Sequence, residues 1–209
     1  LAGVICCAGI GAPALALPRQ PASASDDPSK VKMMDMALFD RVLAINLRGS
    51  VDLIRQTLPY LAQNEPEGED GERGIIVVVS SVAAYEGQVG QLAYSASKGA
   101  VASMVLPLAR EVGQNAGIRV MGIAPGLFET GMTRPPKKQE HEKKEGVEAK
   151  KKGGGVAGRG GFNPNMIEYP TRMGRGDEFA RLVKEIVENP MLNGQVLRLD
   201  GAIRMPSRL

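Results

Sequence analysis

The chain has 209 residues, 43% of them apolar and 23% charged, with a formal charge of +3. That length and apolar content suffice for one sizeable core and exclude disorder throughout. Cys6 and Cys7 are its only cysteines and stand side by side, so on a strand they face opposite ways; a disulfide framework and a four-cysteine zinc site are excluded by count. The single histidine, His141, sits in a charged run, which removes Ser-His-Asp, Cys-His and His-metal catalysis. A catalytic base must then be Tyr, Lys or a carboxylate, and no metal is expected.

No run of about 18 uncharged apolar residues occurs, and the apolar opening Leu1 to Leu17 has no basic segment before it, so neither a spanning helix nor a signal peptide is expected. The charge is uneven. Arg134 to Arg159 carry nine Lys/Arg against four Glu, a local +5 that leaves the remainder at −2. This basic insert reads as a solvated loop in preference to a nucleic-acid contact.

In chain order, Leu1 to Cys7 reads as a buried parallel strand with its turn at Ala8-Gly9. A loop marked by Pro13, Pro18, Pro21 and Pro28 follows. From Asp35 to Leu61, Phe39, Val42, Leu43, Leu47, Val51, Ile54, Leu58 and Leu61 recur at helical spacing, predicting one long amphipathic helix. After a polar turn, Glu65 to Arg73, the β-branched run Gly74 to Val79 predicts a central strand buried on both faces. A helix is predicted from about Ala93 to Gln114, bent by Pro107, then a strand from Gly117 to Ala124. Lys137 to Gly161 is low in complexity, Lys/Glu-rich and then Gly-rich. Asp177 to Glu188 predicts a last helix, and Gly194 to Asp200 a last strand. Strands alternating with helices imply one α/β domain, a doubly wound parallel sheet.

Two glycine-rich stretches imitate a dinucleotide phosphate loop. Gly9-Ile-Gly11-Ala-Pro-Ala14 follows a strand, but prolines replace the helix whose N-terminus would face the pyrophosphate. Gly153 to Gly158 follows a lysine run and matches by composition alone.

The informative stretch runs from Ser80 to Lys98. Tyr94 and Lys98 are four apart and share a helix face, while Ser81 lies at the carboxyl end of a central strand, where open α/β sheets place ligands. A tyrosine hydroxyl ionises near about pH 10; a lysine ammonium beside it in a poorly solvated cleft is expected to lower that value. Tyr94 could then exchange a proton with an alcohol whose oxygen Ser81 also hydrogen-bonds.

These residues bring the chain close to a known family. Cys7-Ala-Gly-Ile10, Val42-Leu-Ala-Ile-Asn46-Leu, the run Ser81 to Gln91, Tyr94-Ser-Ala-Ser-Lys98-Gly, Ile118-Arg-Val-Met, Ile123-Ala-Pro-Gly-Leu-Phe128 and Leu199 to Met205 resemble the short-chain dehydrogenases, among them the type-2 3-hydroxyacyl-CoA dehydrogenases, also called multifunctional 17β-hydroxysteroid dehydrogenases. The resemblance covers nearly the whole chain outside the insert. It implies a Rossmann-like sheet and hydride transfer between NAD and a secondary alcohol or ketone, 3-hydroxyacyl-CoA or a hydroxysteroid. Ser81, Tyr94, Lys98 and Asn46 would be catalytic, Asn46 through a water that relays protons from Lys98. Cys7, Ala8 and Gly9 would pass the adenine ribose, Tyr94 and Lys98 would meet the cofactor, and Pro125, Gly126, Phe128 and Thr130 would embrace the nicotinamide. It also implies a homotetramer built on the helices from Asp35 and from Ala93, in mitochondria or the cytoplasm, with no membrane and no nucleic-acid partner.

Two departures qualify this. A complete family member begins with a strand, a Thr-Gly-x-x-x-Gly-x-Gly loop, a helix and two further β-α units before the position of Leu1, so the expectation is an N-terminally incomplete domain that binds NAD poorly. Cys6 stands where the family usually has an asparagine, which is expected to weaken cofactor binding and sheet bracing. The insert, placed at about residues 134–161, falls in the family's substrate lid. An alternative reading is a non-catalytic oligomeric or scaffold member; a third makes the insert an RNA contact.

Overall fold

The computed structural model describes residues 1–17, 31–130 and 166–207. The basic insert, the glycine run at 153–158 and Pro18, Pro21 and Pro28 lie outside them.

Strand β1, Gly3–Cys6, opens the chain. It leads into an irregular segment with no helix through Leu17, as the prolines require of the first glycine-rich decoy. Helix α1, Met36–Leu43, is capped by the Asp35 carboxylate, which accepts from the Ala37 amide at 2.9 Å. The predicted single helix does not run through. A π-helical turn, Ala44–Arg48, separates α1 from α2, Gly49–Ala62. One extra residue in that turn rotates everything after it by roughly 100°, and the apolar face changes register. Val42 before the turn and Ile54 and Leu61 after it are buried, whereas Val51, predicted on the same face, is 45% exposed.

Strand β2, Gly74–Val79, falls where the β-branched run placed it. The predicted helix with a bend at Pro107 is two helices, α3, Leu92–Ser103, and α4, Val105–Ala116, joined at Met104. Proline at 107 lacks an amide for the Ser103 carbonyl four residues back, and the break falls there. Gly117 ends α4 at φ 64°, a left-handed position, and a Cβ there would meet the Gly71 carbonyl at 2.8 Å. Strand β3, Ile118–Pro125, helix α5, Gly176–Glu188, and strand β4, Val196–Leu199, complete the order.

The four strands are parallel in the order β1-β2-β3-β4. Ile76, Val78, Ile118 and Val120 pack with Ile54, Leu61, Val105 and Ala109 of α2 and α4 on one face. Ile75, Val77, Met121 and Ile123 pack with Ile186 and Phe179 of α5 on the other. Alternation along the strands feeds both layers, giving the Rossmann-like doubly wound sheet expected. All four strands end on one edge, and Cys7, Ser80, Gly126 and Asp200 therefore gather there.

One polar side chain interrupts the apolar β3. Arg119 points to the α5 face, 7% exposed, and donates to the carbonyls of Ile186, Val187, Asn189 and Leu192 at 2.8 to 3.1 Å while pairing with Glu72 at 2.9 Å. It satisfies the acceptors left open at the C-terminus of α5. Arg119→Met should therefore cost about 3 kcal/mol, because several carbonyls and Glu72 lose their partner; a lower urea midpoint with an unchanged far-ultraviolet spectrum is the expected result.

Candidate active site

Ser81 sits just beyond β2 and caps a short 3-10 turn, Val82–Ala84, accepting from the Ala83 amide at 3.1 Å. The Tyr94 phenol feels the Ser81 side chain, which draws its pKa down against the larger effect of burial. The two predicted hydroxyls are thus brought together on the carboxyl edge of the sheet.

Lys98 lies one helical turn beyond Tyr94 and is 5% exposed. Its ammonium donates to the Val79 carbonyl at 2.8 Å and lies 5.8 Å from the centre of the Tyr94 ring. The backbone around it is braced by serines: Ser80 donates to the Lys98 carbonyl and Ser97 to the Tyr94 carbonyl, each at 2.7 Å. Neither brace was singled out in the sequence, although the pairs Ser80-Ser81 and Ser97-Lys98 were in plain view.

The expected electrostatic pull of Lys98 on Tyr94 is corrected by the structure. Burial pushes the Tyr94 phenol up from its ordinary value, with the Ser81 side chain opposing. Burial pulls Lys98 down, with the Cys7 thiol opposing. Desolvation disfavours whichever form is charged, and it is the largest influence on both groups.

Asn46 is placed by the π turn. Its Oδ1 accepts from the Ile10 amide at 2.8 Å, and its Nδ2 donates to the Ile10 carbonyl at 2.9 Å and to Ser97 Oγ at 3.0 Å. At 1% exposure, this buried amide binds protein groups with its side chain, so a water-holding role for that side chain gains no support. Asn46 braces the loop after β1 against α3.

That loop carries the predicted cofactor contacts. A Cβ on Gly9 would come 3.3 Å from Asn46 Oδ1 and 3.4 Å from Lys98 Nζ, a close fit that places this backbone directly beside both side chains. Cys7 is exposed as a residue, yet partial desolvation of its thiol raises its pKa against the opposing influence of Lys98. Cys6 is 5% exposed within the apolar core, its thiol pushed up to about 11 mainly by burial.

On the neighbouring strand end, Gly126 donates to the Leu199 carbonyl at 2.9 Å, and a Cβ there would strike Asp200 at 2.8 Å. The Phe128 ring lies across Gly174 and stands edge-on to Phe179 at 6.1 Å, so its side chain packs toward α5. Thr130 is the last described residue before 131–165.

An open parallel α/β sheet with Ser81, Tyr94 and Lys98 at its carboxyl edge belongs to the class of folds that bind ligands at that edge. The comparisons carry this further. The family model described as "short chain dehydrogenase" matches residues 4–141, and the chain belongs to that family. It is 46% identical over 168 residues to human 3-hydroxyacyl-CoA dehydrogenase type-2, covering 80% of this chain and 56% of that protein. The Drosophila melanogaster protein of the same name is 44% identical over 168 residues, 80% of this chain and 57% of that protein. A crystal structure of 3-hydroxyacyl-CoA dehydrogenase type-2 from Mycobacterium avium superposes with a TM-score of 0.76 at 30% identity, covering 99% of this chain and 68% of that one. The chain spans a little over half the length of the curated relatives it matches.

Removal of the Asn46 brace should be measurable without any ligand. Asn46→Ala leaves both polar groups of Ile10 and the Ser97 hydroxyl short of a partner, a loss of about 2–3 kcal/mol. Asn46→Asp should lose a similar amount, since a carboxylate cannot donate to the Ile10 carbonyl; denaturant unfolding of both variants checks this.

Proposed function

We propose that the protein is an NAD-dependent oxidoreductase that interconverts a secondary alcohol and a ketone, with 3-hydroxyacyl-CoA thioesters as the first substrate class and hydroxysteroids as the second. The observation that carries the reading is the placement of Ser81 just beyond β2 with Tyr94 and Lys98 on α3, Lys98 donating to the Val79 carbonyl at the end of β2. Names of the relatives at 44 to 46% identity support the thioester choice.

The residues present fit a nicotinamide dinucleotide. Gly9 and Gly126 keep two strand ends free of side chains on either side of Ser81 and Tyr94. In this reading Cys7, Ala8 and Gly9 present backbone to the adenine ribose, Lys98 meets the nicotinamide ribose, and Pro125, Gly126, Phe128 and Thr130 border the nicotinamide. Bound there, the cofactor supplies or accepts hydride. Tyr94 moves a proton at its Oη to or from the substrate oxygen, Ser81 Oγ hydrogen-bonds the same oxygen and fixes its position, and Lys98 lies beside the Tyr94 ring. Because burial holds the free Tyr94 phenol firmly protonated, that state suits it to act first as the donor that completes ketone reduction.

NADH oxidation by acetoacetyl-CoA, assayed at high NADH, should fall about a hundredfold or more in Tyr94→Phe; an undiminished rate in that variant sinks the assignment.

The same reading makes the protein a homo-oligomer, a tetramer by resemblance. Val51 and Leu53 of α2, Leu92 of α3 and Leu106 of α4 are exposed by 41 to 51%, more apolar surface than helices that only cover a sheet require. Sedimentation velocity should show a species larger than the monomer, and Leu53→Glu with Leu106→Glu should dissociate it. Among the described residues no helix is long and apolar enough to cross a membrane; mitochondrial or cytoplasmic placement follows from the resemblance alone.

A further inference from the structure

The segment between Ser81 and Tyr94 contains little that fixes it from within. The 3-10 turn passes directly into Tyr85, 52% exposed; Gly87 packs so closely on Ser95 that a Cβ would lie 2.4 Å from its hydroxyl; Gly90 takes φ 88°. Internal hydrogen bonds join only near neighbours, Glu86 to Val82, Gln88 to Gln91 and Ser95 to Gln91. Such a loop is expected to move unless something outside it holds it.

Two segments hold it: Ala14, whose amide donates to the Gly90 carbonyl at 2.9 Å, and, through more contacts, the C-terminal segment. The Glu86 carboxylate accepts from Arg198 Nη1 at 2.7 Å through one oxygen and from the Met205 amide at 2.9 Å through the other, with Arg204 Nε at 3.7 Å. Val89 N donates to the Ser207 carbonyl at 3.0 Å, and Gln88 Nε2 to the Pro206 carbonyl at 3.1 Å. Arg198 is itself fixed, donating to Asp200 at 2.7 Å and to the Ile203 carbonyl at 3.2 Å, and its guanidinium lies 5.7 Å from the Tyr85 ring. Ile203, fully buried, packs on Val82, the residue next to Ser81.

We propose that Glu86 is a positioning residue: by joining Arg198 and the Met205 backbone it makes residues 198–207 a strap that fixes the loop between Ser81 and Tyr94, and so the spacing of the two hydroxyls. The proposal rests on the oxidoreductase reading for its catalytic consequence, but the strap itself does not. Glu86 acts through Arg198 and the Met205 backbone, the groups its carboxylate binds. Its carboxylate is the one side chain of the loop that binds the start and the end of the strap at once, so its loss releases the loop from both. Arg198, by contrast, keeps Asp200 when Glu86 is gone, and β4 stays in place.

Hydrogen exchange and kinetics on the full chain test this together. In Glu86→Ala, exchange should quicken at least tenfold both in 203–207 and in 81–91; faster exchange in the tail with an unchanged loop overturns the proposal. With acetoacetyl-CoA, kcat/KM for the ketone should fall about ten- to a hundredfold through both kcat and ketone KM, while the NADH KM stays within about twofold. Glu86→Gln, which keeps one of the two acceptor oxygens and places a donor where the other was, should recover only part of it. A fall in kcat matched by the lost folded fraction, with ketone KM unchanged, would mark Glu86 as structural only. Arg198→Lys, which keeps the charge without the fork, should move both readouts the same way by a smaller factor and serves if Glu86→Ala folds poorly. Turnover that survives Tyr94→Phe speaks against the oxidoreductase reading alone, and the exchange arm then decides the strap.

Discussion

The amide of Asn46 holds three segments with three hydrogen bonds. It binds both polar groups of Ile10 in the loop after β1, and the hydroxyl of Ser97 on α3, while its own backbone belongs to the helical layer. A buried amide must find such partners or cost the protein their full desolvation. Asn46 sits at the centre of the π turn, Ala44–Arg48, and is buried there. Once Asn46 is seated, Gly9 comes to rest near the Lys98 ammonium, and Ser97 holds the carbonyl of Tyr94. The candidate site is a consequence of that one contact.

Around it the balance of solvation and charge runs against intuition. Lysine beside tyrosine suggests an acidified phenol, yet both groups shift toward their neutral forms because water is largely excluded from each. Val79 offers the ammonium a carbonyl, a dipole where a counter-ion would be needed to hold the lysine pKa up. The free site therefore stores a proton on oxygen, and it is sensitive to any charge that enters the cleft.

Two arginines perform matching tasks at opposite places on the sheet. Arg119 ties the end of α5 to β3, and Arg198 ties the C-terminal segment to the loop before α3. In each case a planar guanidinium reaches several oxygens from segments far apart in sequence. Apolar packing brings the layers together; these forks select how the connecting loops lie on them.

Most of the fold was legible in the residues. The β-branched run at 74–79, the apolar spacing of 35–61 and 93–114, and the alternation of strand and helix specified a parallel doubly wound sheet, because burial of both sheet faces demands those patterns. Ser81, Tyr94 and Lys98 were legible too, since helix pitch alone puts Tyr94 and Lys98 on one face and strand ends collect ligands. Periodicity could not show the π turn or the exposure of Val51, because one inserted residue changes phase without changing composition. Nor could it show that Glu86 meets Arg198 and Met205, or that burial would raise the Tyr94 pKa: partners more than a hundred residues apart and local dielectric exist only once the chain has closed on itself.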